Sequence, residues 1–255
     1  TMQIDLFDYA TLNKVATLID TKDFAALTSI DSYTFDQAEK KILIATNTES
    51  IFRRSFTANY FVYDIASKKL SKFTDKAIQE PTFSSDGTKV AYAFENNLYV
   101  FDLLLNKETQ VTTDGKKNSI INGITDWVYE EEFAFVRAFE WSGDSKNIAF
   151  LRFDESEVPT FSMDITGTEL YPTQQVLKYP KAGEKNSTVT LHLYNLNSAK
   201  TTKIDVGNYE YIPRIKWTKD ADKLSILRLN RLQNQLEILF AEAATGKTNV
   251  IYTET

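Results

Sequence analysis

"FSSDGTKVAY", Phe83 to Tyr92, sets an aromatic residue, a polar turn and a β-rich strand in immediate succession. The same pattern returns as "FDQAEKKILI" from Phe35, "WSGDSKNIAF" from Trp141 and "WTKDADKLSI" from Trp217. In each copy the residue seven positions after the aromatic is β-branched or aliphatic: Ile42, Val90, Ile148 and Leu224. A polar turn between period-two runs is the pattern of a β-hairpin.

A second pattern follows the first. An alternating strand meets an acidic or amide residue, then a turn with Lys, then another strand, in "IDLFDYATLNK", "FVYDIASKK", "YVFDLLLNK", "HLYNLNSAK" and "FAEAATGK". Asp8, Asp64, Asp102, Asn195 and Glu242 share one column. The two halves together make about four strands per unit, the size of a propeller blade. A blade cannot cover both faces of its own sheet, and stacking on its neighbours supplies the missing contacts. The repeat therefore predicts an all-β chain, a β-propeller of four-stranded blades with four to five units countable. An open sandwich or solenoid is the alternative.

The chain has 255 residues, 42% hydrophobic and 25% charged, as expected of a globular protein with a sizeable core. A net charge of −6 and scattered lysines argue against nucleic-acid binding, which draws on clustered Lys and Arg. With one His and no Cys, disulfides and cysteine nucleophiles are excluded, and neither a metal nor another cofactor is expected. No apolar run is long enough to span a bilayer, and the first residues lack signal-peptide architecture, so any export signal is expected to lie outside this chain.

The longer intervals between aromatic anchors hold two insertions, one containing "INGITDWVYEEEF" and one running from "FDESEVP" to "KNSTV". Insertions on a repeat scaffold are where binding residues tend to sit. Three consecutive glutamates, Glu130 to Glu132, read by composition as a solvated face. Asp126 or Thr125 is suited to cap a short helix starting at Trp127, on which successive residues point about 100° apart, so the three carboxylates cannot share one direction. A primary ammonium suits paired carboxylates, because its three donors and one charge match acceptors that an internal amide cannot use. Arg53 and Arg54 read either as surface ion-pair partners or as donors to a peptide carbonyl. His192 sits within a period-two strand and is expected to be structural. No Gly-x-Ser-x-Gly elbow occurs, so this stretch is not expected to hydrolyse anything by itself. "NST" at Asn186 matches a glycosylation acceptor by pattern only.

"INGITDWVYEEEF", then "FEWSGDSKNIAFLRFDESEVP", then "YPKAGEKNSTV" resemble the N-terminal β-propeller of the dipeptidyl peptidase IV family of S9 serine peptidases. Weaker similarity runs through "RRSFTANYFVYD" and "FSSDGTKVAYAFENNLYVFD". The resemblance implies that residues 1–255 are a partial propeller, about five of the family's eight blades, with an inserted short helix carrying the Glu motif and with the catalytic α/β-hydrolase domain lying outside the chain. It implies that Glu131 and Glu132 bind the substrate's α-amino group, that Glu130 does not, and that Arg53 contacts a substrate carbonyl with Arg54 as its neighbour.

The parent protein is then expected to release X-Pro or X-Ala dipeptides from peptides with a free N-terminus, the propeller gating the substrate. Its partners would be the hydrolase domain of the same polypeptide and a possible second copy of the full-length protein. The absence of Cys favours a bacterial source, with export to the periplasm or cell surface. The alternative is a non-catalytic propeller scaffold for protein–protein interaction.

Overall fold

The computed structural model describes residues 1–255 and is all-β apart from one short α-helix and one 3-10 turn. A hairpin of β1 (Gln3–Phe7) and β2 (Lys14–Asp20) precedes a four-stranded antiparallel sheet of β3 (Ser32–Phe35), β4 (Lys41–Ser50), β5 (Phe56–Asp64) and β6 (Lys69–Lys72). The next sheet has β7 (Gln79–Phe83), β8 (Lys89–Phe94), β9 (Asn97–Asp102) and β10 (Lys107–Gln110). A third is built on β11 (Ile120–Asn122), β12 (Phe139–Trp141) and β13 (Asn147–Asp154). It resumes, after an exposed ribbon of β14 (Thr160–Ile165) and β15 (Thr173–Lys178), with β16 (Thr188–Asn195) and β17 (Lys200–Ile204). The fourth contains β18 (Tyr211–Trp217), β19 (Lys223–Leu229), β20 (Leu236–Glu242) and β21 (Thr248–Glu254). These meandering sheets are propeller blades. The chain divides into two compact units, Thr1–Phe94 with Val100–Thr109, and Glu95–Tyr99 with Gln110–Thr255.

Both repeat columns have a physical origin. The aromatic anchor and the residue seven positions on are cross-strand partners in every blade: Phe35 with Ile42, Phe83 with Val90, Trp141 with Ile148, Trp217 with Leu224. The turn between them is closed by the next residue's N–H to the carbonyl of residue 41, 89, 147 or 223, at 2.8–3.0 Å. In the second column, Asp8, Asp64, Asp102 and Asn195 each accept, through the side chain, the N–H three residues on, at 2.7–2.9 Å. Glu242, one methylene longer, takes the Thr245 hydroxyl at 3.0 Å instead. The residue four positions on has positive φ in all five: Leu12, Lys68, Asn106, Ala199 and Gly246. Such a side-chain-capped turn followed by a left-handed residue joins the two outer strands of each blade.

The second strand of each of the first three blades is buried on both faces, over Ile42–Thr46, Val90–Ala93 and Ile148–Leu151. That double burial distinguishes a stacked blade from a one-faced sheet. In the first unit, Ile4 and Ile19 of the leading hairpin pack with Leu27, Ile42, Ile44, Phe61 and Tyr63. The fourth blade differs: β19 buries only Leu224 and Ile226, and β21 buries nothing.

Gly87 shows what close packing demands of a turn. Its φ is +66°, and an added Cβ would stand 2.7 Å from Asp36 Oδ2, on the turn of the preceding blade, where Lys41 Nζ also donates to the Gly87 carbonyl at 3.0 Å. Gly87→Ala is expected to lower stability by about 1–3 kcal/mol, from left-handed strain and displacement of Asp36. Urea unfolding of the full-length protein checks this, and an unchanged midpoint would contradict it.

Candidate functional site

The acidic helix is an excursion clasped at its base. β11 pairs with β13 through Ile121–Phe153 and Asn122–Arg152. Gly123, at φ +76°, follows with its N–H on the Leu151 carbonyl at 3.0 Å, and a Cβ there would meet Leu98 Cδ1 at 3.0 Å. Ile124 then bridges Arg137, and the Thr125 N–H and hydroxyl reach the carbonyls of Val136 (3.0 Å) and Phe135 (3.1 Å). Between these closures runs α1 (Trp127–Glu132).

Six residues do not make a stable helix in water, so its position comes from anchors. Asp126 is the N-cap and accepts Tyr129 N–H at 2.9 Å, as the capping expectation required. Its other oxygen accepts the buried Ser187 hydroxyl at 2.5 Å. Trp127 packs on Tyr179, ring centroids 4.5 Å apart. Tyr129, 1% exposed, sits among Phe133, Phe153 and Tyr211, and its hydroxyl accepts the Ile212 N–H at 2.9 Å. Arg214 donates to the Phe133 carbonyl at 2.6 Å while lying 4.7 Å over the Phe135 ring. The three separated parts of the motif thus meet in space: Asp126, Trp127 and Tyr129 from the first, Phe153 from the second, Tyr179 and Ser187 from the third.

The three glutamates point differently, as helical geometry requires. Glu130 is 1% exposed, Glu131 half-buried and Glu132 exposed. The solvated-face reading of Glu130 is therefore corrected: it lies one turn from the cap and is buried, as its neighbour Tyr129 is. Glu131 and Glu132 occupy the last turn, which has no basic residue. The negative end of a helix disfavours carboxylates, so this placement is not explained by helix stability. Ala134, just past the helix, has φ +57°, which turns the chain sharply back.

Arg53 lies in the first unit, on the bend between β4 and β5, and both it and Arg54 are exposed. The bend is closed by Ser55, whose carbonyl and hydroxyl accept the N–H groups of Ile51 (2.9 Å) and Phe52 (3.2 Å). Ala58 follows, fully buried and bridged to Ile78. Glu131 and Glu132 share one helical turn in the second unit.

His192 is structural. It stacks on Phe150 at 5.3 Å and lies 2.9 Å from the Thr190 hydroxyl. Burial, with Arg152 and Lys203 nearby, pulls it down to about 4, so the ring is neutral at physiological pH. The Asn186 amide is engaged by Glu210 at 2.8 Å and the Tyr211 hydroxyl at 3.0 Å. Sequence reasoning missed Tyr211, Ile212 and Arg214 as supports of the helix, since neither the motif nor any spacing links them to it.

Four-stranded antiparallel blades with an inserted, well-anchored acidic helix define a β-propeller domain. Residues 36–255 match the model of the dipeptidyl peptidase IV N-terminal region, and the chain belongs to that family. It is 34% identical over 238 residues to a probable dipeptidyl-aminopeptidase B of Sclerotinia sclerotiorum, covering 84% of this chain and 26% of the relative. It is 30% identical over 249 residues to the inactive dipeptidyl peptidase 10 of Rattus norvegicus, covering 93% of this chain and 31% of that protein. The crystal structure of Porphyromonas gingivalis dipeptidyl peptidase 4 superposes with a TM-score of 0.95 at 38% identity, covering 99% of this chain and 37% of the other. The chain spans about a quarter to a third of the length of these curated relatives.

Proposed function

We propose that this chain is the substrate-gating, N-terminus-anchoring propeller of a dipeptidyl aminopeptidase that releases X-Pro or X-Ala dipeptides. The observation that carries the reading is α1: a helix too short to stand alone is capped by Asp126 and held by Tyr179, Ser187, Ile212 and Arg214, and its final turn presents Glu131 and Glu132 at the end where they do not stabilise it. A fixed pair of carboxylates accepts from an ammonium but not from an acylated amine. Anchored at its amine, a peptide extends a set length towards a nucleophile supplied by an α/β-hydrolase domain elsewhere in the same polypeptide. Arg53 would donate to a substrate backbone carbonyl.

Family membership supports the peptidase context. The lack of cysteine and the 38% identity to the P. gingivalis protein support a bacterial parent, which we assign to the periplasm or cell surface and which would dimerise as the full-length protein. The test is Glu131→Gln and Glu132→Gln, singly, in that protein, on a dipeptide substrate with a free or an N-acetylated amine. Each variant is expected to lose about 10- to 100-fold in kcat/KM on the free amine and little on the acetylated one. Unchanged discrimination in both would refute the clamp.

The second reading, a non-catalytic interaction scaffold, is favoured by one observation, the 30% identity to a protein described as an inactive dipeptidyl peptidase. Sequencing the gene past Thr255 separates the two: a Gly-x-Ser-x-Gly hydrolase domain supports the peptidase, and its absence supports the scaffold.

A further inference from the structure

Most of the contacts that fix α1 bear on its entry and first turn: Asp126 with Ser187, Trp127 with Tyr179, and Tyr129 with Ile212. Glu131 and Glu132 stand at the other end. There the chain leaves through Phe133, whose N–H closes the last turn on the Tyr129 carbonyl at 3.1 Å. The Phe133 ring packs on Tyr129 and Tyr211, with centroids 5.0 and 5.5 Å away. Ala134 follows, exposed and at φ +57°. A residue with a Cβ keeps a left-handed conformation only where its surroundings hold it, and an exposed methyl supplies no hold of its own.

Arg214 of β18 spans that reversal. Its Nη2 donates to the Phe133 carbonyl at 2.6 Å, before Ala134, and its guanidinium lies 4.7 Å over the Phe135 ring, after it. Its Nη1 is tied to the neighbouring Pro213 carbonyl at 2.6 Å, which fixes the fork on its own strand. A planar guanidinium can bond a carbonyl through its edge and cover a ring with its face at the same time. Two residues on, the same face of β18 carries Lys216, which reaches Glu140 at 2.8 Å, where Arg137 also donates at 3.2 Å. The Trp217 indole donates to the Glu140 carbonyl at 2.9 Å. β18 thus lies along the exit arm from Phe133 to Glu140, with Tyr211 and Arg214 at the end next to the glutamates.

Resting on the reading that Glu131 and Glu132 form an amine clamp, we propose that Arg214 is a positioning residue: it locks the chain reversal at Ala134 and so fixes where the two carboxylates stand. The labour is divided. The first-turn contacts decide whether α1 forms, and Arg214 decides where its last turn points, acting through Phe133, one peptide past Glu132. Released from Arg214, the exit samples more than one arrangement, and an ammonium must order the carboxylates as it binds. That weakens binding and leaves the later chemistry alone, so the loss falls on KM.

Hydrogen–deuterium exchange of the full-length protein, resolved to single amides, reads the lock without an activity assay. In Arg214→Ala the Phe133 amide, which closes the last turn, is expected to exchange about 3- to 10-fold faster, while the Tyr129 amide, held by Asp126, is unchanged. Arg214→Lys, which keeps a donor but not the fork, is expected to fall between Arg214→Ala and the wild type. In kinetics, the preference for a free over an acetylated amine is expected to drop about 3- to 10-fold in Arg214→Ala, through KM with kcat held. Because Arg214 is exposed, the urea midpoint is expected to move less than in Tyr129→Phe. An unchanged Phe133 amide, or equal rises at Phe133 and Tyr129, would overturn the lock. If Phe133 loosens and the amine preference holds in Arg214→Ala but collapses without Glu131 and Glu132, the clamp stands and the positioning role fails. If Phe133 loosens and the preference survives loss of both glutamates, the clamp fails and the lock stands.

Discussion

Tyr129→Ala is expected to destabilise the full-length protein by about 3–5 kcal/mol, because removal of a fully buried ring leaves a cavity that a rigid aromatic cage cannot close. The cage is Phe133, Phe153 and Tyr211, with ring centroids 4.8–6.3 Å from that of Tyr129. The substitution also strips the Ile212 N–H of its acceptor, a second loss that Tyr129→Phe isolates at about 1–3 kcal/mol. Urea unfolding measures both. Equal losses in the two variants would mean that the hydrogen bond, and not the ring, seats the helix. Losses under about 1 kcal/mol in both would contradict the account of how a six-residue helix is held.

The second large effect is catalytic. Glu131→Gln combined with Glu132→Gln is expected to lower kcat/KM on free-amine dipeptide substrates by about 100- to 10,000-fold, from two charge-assisted hydrogen bonds worth about 1.5–3 kcal/mol each. That range is the additive one; because the two side chains share one ligand, a double loss smaller than the product of the single losses marks their coupling through one ammonium. Stability is expected to be unchanged or slightly raised, since two negative charges leave the C-terminal end of a helix. If binding at the amine also aligns the scissile bond, kcat falls together with kcat/KM, whereas a loss confined to KM marks uniform binding.

The blade repeat was legible in the sequence because each column is a local device. An aromatic and an aliphatic residue seven apart are the two sides of one hairpin, and an Asp three residues before an N–H caps one turn. No long-range information is needed for either. The helix start at Trp127 was legible for the same reason, since Asp126 caps it through a bond to Tyr129. The burial of Glu130 was not legible. In six residues every direction is sampled about once, and the helix is seated by residues far along the chain, Tyr211 and Ile212 against Tyr129 and Arg214 against Phe133. Ser187 shows the converse: within "NST" it reads as part of a surface acceptor, yet it is buried and donates to the helix cap. Its partner lies in the other insertion, and no spacing rule connects the two.

The central claim is that the last turn of α1 reads a positive charge on the substrate. Its most direct measurement is titration calorimetry of the full-length protein with a product dipeptide such as Ala-Pro and with the analogue in which the amine is replaced by hydrogen. The account predicts that the wild type prefers the amine by about 100-fold or more, and that the preference collapses to near unity in the Glu131→Gln, Glu132→Gln double variant. A preference that survives in the double variant would contradict it.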